Sequence, residues 1–109
     1  MKTEIIESKF DDSIYIKFRN LKRIDDFDTI ASIIDKNIEV ELIENIDGIW
    51  SRYRTYKTQN FIFQLMYHED LGNCVRLPVE RDRSQDKKNY ELLHNIVKEA
   101  MTLLNAKKK

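Results

Sequence analysis

In the stretch SIYIKFRN, Ile14, Ile16 and Phe18 alternate with Tyr15, Lys17 and Arg19. Alternation of this kind, with β-branched and aromatic residues, predicts a strand with one buried and one wet face. TEIIESKF upstream begins another strand, and Asp11–Asp12 between them is a turn signal, so the N-terminus reads as a hairpin. The period then changes. Phe27, Ile30, Ala31, Ile34 and Ile38 fall at helical spacing. Asp25 or Asp26 can cap this helix, and Asp28 adds negative charge near its N-terminus.

Residues 38–45 read either as a short strand or as a continuation of that helix, and NIDG at 45–48 reads as a turn. IWSRYRTYKT is the next strand, Gln59–Asn60 a tight connection, and FIFQLMY a strand with Phe61, Phe63, Leu65 and Tyr67 on one face. HEDLGN is a loop in which Gly72 or Asn73 supplies a positive φ. CVRLPVE is a last strand, with Pro78 marking an edge or a strand end. Ser84 or Asp82 caps a long final helix. Tyr90, Leu93, Val97, Met101 and Leu104, broadened by Leu92, Ile96 and Leu103, give that helix a wide apolar stripe. The order β-β-α-β-β-β-β-α predicts an α+β fold. It is a small antiparallel sheet of about five to six strands with two helices packed on one face.

With 109 residues the chain has room for one domain, 1–109, in which 106–109 form a basic tail expected to fray. Two glycines and one proline leave little of the chain for loops. Cys74 is the single cysteine, which excludes an internal disulfide and suits a reducing compartment. There is no apolar run of signal-peptide or membrane-spanning length (the latter about 18 residues), and a cytoplasmic location is expected.

The formal net charge of zero conceals a segregation. Residues 1–50 hold twelve acids against seven bases, and residues 51–109 the reverse, seven against twelve. Between Asp25 and Asp47 eight acids stand against Lys36 alone. Such asymmetry bears on partners and association rates more than on fold.

Candidate chemistry is sparse. His68 and Cys74 flank one loop, but a nucleophile pair needs a third, orienting group, and none is implied. One cysteine and two histidines do not make a zinc site. No phosphate-binding loop, dinucleotide fingerprint or nucleophile elbow is present. The expectation is a non-enzymatic protein without cofactor, metal or small-molecule substrate.

The strand at 50–57 is the sequence's most distinctive feature. Trp50, Arg52, Arg54 and Tyr56 share one face; Ser51, Tyr53, Thr55 and Lys57 share the other. Arg52 and Arg54 are expected on the solvent side of the sheet, among acidic or aromatic neighbours. The alternative is that cations and rings together hold single-stranded nucleic acid. The acidic stretch suggests docking instead: carboxylates steer a basic protein and aromatic anchors hold it. The residues singled out for such a surface are Asp35, Glu39, Glu41, Glu44, Asp47, Trp50, Tyr53 and Tyr56.

In size, α+β layout and acidic patch the chain resembles the immunity proteins of bacterial polymorphic-toxin and contact-dependent growth-inhibition systems. The resemblance is one of class and carries no diagnostic motif, so it assigns no residue. It implies a protein partner, a basic toxin domain, and no membrane.

Overall fold

The computed structural model describes residues 5–7, 15–18, 21, 23–78 and 82–107. Strands β1 (Ile5–Glu7) and β2 (Tyr15–Phe18) precede helix α1 (Ile24–Asn37). Then come β3 (Glu41–Asp47), β4 (Ser51–Lys57), β5 (Ile62–His68) and β6 (Gly72–Arg76). A 3-10 turn, Arg83–Gln85, leads into α2 (Asp86–Lys107). The six strands form one sheet in the order β1-β2-β6-β5-β4-β3, every pair antiparallel. The expected α+β class and element order hold. No helix among the described residues is long and apolar enough to cross a membrane.

The alternating strands deliver one apolar face. Across the sheet, Ile16, Val75 and Leu65 stand in one row, and Phe63 and Tyr56 in the next. All five are buried. Against them α1 lays Phe27, Ile30, Ala31, Ile33 and Ile34, and α2 lays Leu93, Val97, Ala100, Met101 and Leu104. Ile33, outside the expected stripe, joins the core because α1 also packs against α2. Among the described residues the opposite face of the sheet carries no helix.

Several boundaries move. The N-cap of α1 is Arg23, not Asp25 or Asp26. Asp26 works back onto the cap, its carboxylate accepting from the Arg23 main-chain N–H at 3.1 Å. Residues 41–47 are strand, because Ile38 turns extended and β3 then pairs with β4 along its length. The pairing shifts by one residue between Leu42 and Glu44. Ile43 is the extra residue of a bulge there. The turn expected at 45–48 sits later, with Ile49 and Trp50 at its tip. The Gly48 N–H donates to Ser51 O at 2.8 Å. A Cβ on Gly48 would stand only 2.8 Å from that oxygen, so glycine is required there.

Gly72 supplies the positive φ of the next hairpin, at 77°. Asp82, not Ser84, caps the last turn of chain before α2, accepting from the Ser84 N–H. Pro78 follows the end of β6, a central strand. Helix α2 runs to Lys107, two residues into the stretch expected to fray. The Asp11–Asp12 turn, Ile14, Arg19 and residues 108–109 lie outside the described residues.

Candidate docking surface

Arg52 and Arg54 lie on the helix-bearing face, not on the solvent side. The row Ile16–Val75–Leu65 runs on through Arg54 to Asn45, and the row through Tyr67 runs on through Arg52 to Asp47. Here, at the margin of the core, α1 presents its acidic flank. Arg54 donates to Asp35 Oδ2 and to the Tyr56 hydroxyl, both at 2.7 Å. Arg52 donates to Asp28 Oδ1 at 3.1 Å and to Asp47 Oδ1 at 3.0 Å, and lies over the Phe27 ring at 5.0 Å. Asp28 and Asp35 stand two helical turns apart, about 10 Å along α1, and the arginines about 7 Å apart along β4. Two long side chains span that difference. The acidic and aromatic neighbours expected for these arginines are present, on the other face. Hydrogen bonding to Asp47 raises the Arg52 pKa against the cost of burial. Pairs this open contribute about 1 kcal/mol at most.

These contacts divide the acidic stretch. Asp28, Asp35 and Asp47 are neutralised within the fold. Glu39, Glu41 and Glu44 are exposed and make no ion pair among the described residues. Glu41 stands opposite Lys57 and Glu44 opposite Thr55, both on the helix-free face. The aromatic residues divide as well. Trp50 is 63% exposed at the hairpin tip beside Ile49, which is 85% exposed. Its carbonyl accepts from the Glu69 N–H at 3.1 Å, which ties the tip to the next hairpin turn. Tyr53 is half-buried on the helix-free face, with the Arg76 guanidinium 5.3 Å from its ring centre. Tyr56 has no exposed surface and stacks on Phe63 at 5.3 Å. It is a core residue and leaves the docking set. Ile46, 47% exposed opposite Tyr53, joins that set. The sequence reading missed it because NIDG at 45–48 reads as a turn, whereas Ile46 stands within β3.

The helix-free face also carries a polar ladder: Arg76 donates to Gln64 at 2.7 Å, and Gln64 to Thr55 at 3.1 Å. Beside it, a groove of about 560 Å³ runs from Glu44 past Gln64 to Leu77 and Asp82. Asp82 is committed to Ser84, whose hydroxyl and N–H hold its carboxyl below the usual range.

Burial of Tyr56 pushes its phenol up to about 12, with the Arg54 guanidinium opposing. An exposed tyrosine titrates near 10. The native state therefore binds the proton more tightly than the unfolded state. Its contribution is complete below pH ~10 and lost as pH rises through ~12, about 2–3 kcal/mol in all. Urea unfolding at pH 8, 10 and 11.5 is expected to show this decline, and Tyr56→Phe to reduce it by about that amount.

Cys74 is fully buried, and burial pushes its thiol up to about 11 against the pull of Arg76 and Lys17. It has no hydrogen-bond partner among the described residues, and His68 instead accepts from the Asp70 N–H through Nδ1. Ionisation alone is expected to slow iodoacetamide labelling of native Cys74 about a hundredfold relative to the urea-unfolded chain. Equal rates would contradict the burial. Among the described residues no group of three or more histidine, cysteine and acidic side chains is placed to hold a metal.

Fold and surface together define a small α+β domain with one helix-covered and one open sheet face, and an acidic outer strand. Compared with protein-family models, with characterised proteins and with solved structures, the chain matches none.

Proposed function

We propose that this protein is a non-enzymatic, stoichiometric binder of a basic protein, acting as an immunity protein that neutralises a bacterial toxin domain. The observation that carries the reading is the division of charge. The fold absorbs Asp28, Asp35 and Asp47 but leaves Glu39, Glu41 and Glu44 without an ion pair among the described residues, along the run of chain that leads through exposed Ile46 to Ile49 and Trp50 at the hairpin tip. Carboxylates leading up to an apolar and aromatic tip favour fast capture of a cationic surface followed by tight holding. The binding set is thus Glu39, Glu41, Glu44, Ile46 and Trp50, with Tyr53 at its inner margin.

The reading is tested by co-expression in bacteria with the toxic domain encoded by the adjacent reading frame. Restored growth is expected, together with a one-to-one complex by sedimentation. Unrelieved toxicity, with both proteins present and folded, would end the immunity assignment.

A further inference from the structure

The outer strand β3 is open on one side. Among the described residues its only hydrogen-bonded neighbour is β4, and all seven of its residues are exposed. The register fixes which main-chain groups are unmet. Gly48 donates to Ser51 O, which makes Gly48–Ser51 a hydrogen-bonded pair. In an antiparallel ladder such pairs alternate with pairs whose N–H and C=O groups point away from each other. Counting back, Asn45 and Asp47 turn their main-chain groups outward. Edge strands are usually blunted by charged side chains, lysine above all, by proline, a bulge or a covering element. Glu41–Asp47 contains no lysine, arginine or proline. Its bulge lies at the Leu42/Glu44 end, leaving Glu44–Asp47 regular.

What this edge carries is negative charge. Self-pairing of β3 with a second copy would gather Glu41, Glu44 and Asp47 from both strands, with only Asp47 already neutralised. A cationic strand would instead meet Glu41 and Glu44 on one face. Exposed Ile46 on that face and Leu42 on the other offer apolar contact. Resting on the reading of the protein as a binder of a basic protein, we propose that β3 is where that partner docks, an extended segment of alternating basic and apolar residues joining the sheet as a further strand through the outward groups of Asn45 and Asp47.

The probe is a capped octapeptide of alternating lysine and valine, titrated into the isotope-labelled full chain. Amide shifts are expected to move along Glu44–Asp47, and exchange of the Asn45 and Asp47 amides to slow. N-methylation of alternate peptide residues preserves charge and side chains but removes main-chain donors. It is expected to weaken binding about tenfold or more. Asn45→Pro removes the outward donor from the protein side without breaking the ladder to β4. The N-methylated peptide keeps the test intact if that variant unfolds. Equal binding of the two peptides would overturn strand addition while leaving acidic capture of a basic partner standing. So would shifts that avoid β3, or a dimer of the free protein abolished by Asn45→Pro. Failure of growth rescue with a peptide that still pairs on β3 would reject the immunity reading alone.

Discussion

Phe63→Ala is expected to destabilise the domain by about 3–5 kcal/mol, the range for an aromatic ring removed from a packed core. Phe63 is fully buried on a central strand, 5.3 Å from the Tyr56 ring and 5.8 Å from the Phe61 ring. Truncation leaves a void between the sheet and the helices. It also strips the apolar flank from Tyr56, whose hydroxyl holds Arg54. A domain of this size has roughly 5–15 kcal/mol of total stability, so the midpoint of thermal unfolding falls by roughly 15–25 °C. Phe61→Ala is the internal control. Phe61 is only half-buried at the strand's approach, and its loss should cost less than half as much. Equal midpoints for Phe63→Ala and the parent protein in urea and in heat would mean that the two rows do not pack as described.

Reversal of Glu39, Glu41 and Glu44 to lysine is expected to slow association with the proposed basic partner by roughly ten- to a thousandfold at low salt, and to flatten its salt dependence. Dissociation should change little by comparison, because rim charges act mainly on encounter. Asp35 and Asp47 are unsuitable for this test. Reversing either would break the contact to Arg54 or Arg52 and confound binding with folding. The three glutamates carry no such contact, and their replacement should move stability by no more than about 0.5 kcal/mol each. Trp50→Ala is expected to act in the opposite manner, raising the dissociation rate by roughly thirtyfold if Trp50 is an anchor worth about 2 kcal/mol. Stopped-flow association at two salt concentrations, followed by displacement, separates the two. An unchanged on-rate for the triple reversal would make the acidic strand an ordinary solvated surface.

Much of the fold was legible because each segment's period agrees with its burial. Phe63 and Leu65 in β5, and the stripe from Leu93 to Leu104 in α2, are the core positions that spacing predicts. Gly72 and Asp82 occupy the turn and cap that their chemistry favours. The candidate docking surface was legible in part. The three glutamates and Trp50 are exposed, but Tyr56 is buried and Asp35 and Asp47 are paired within the fold. Asn73 was read only for its backbone. It is fully buried, and its side-chain amide donates to the carbonyls of Leu21 and Arg23, tying β6 to the chain ahead of α1. An asparagine beside a turn glycine gives no warning of that role.

By itself the sequence determined which residues share a face of each strand and each helix, since alternation and the 3.6-residue repeat are properties of the local backbone. It therefore settled that Arg52 and Arg54 travel with Tyr56, and that Tyr53 travels with Lys57. Only the tertiary structure decided which of those faces meets the helices, because that depends on strand order and on where α1 comes to rest. By placing β3 at the edge and the acidic flank of α1 over β4, it turned two apparently free arginines into clamps. It also sent Tyr56 into the core and left the three glutamates of the outer edge without ion pairs among the described residues. Long-range pairing is a choice among registers and neighbours that local periodicity cannot distinguish. It is made by the burial and charge balance of the whole sheet at once.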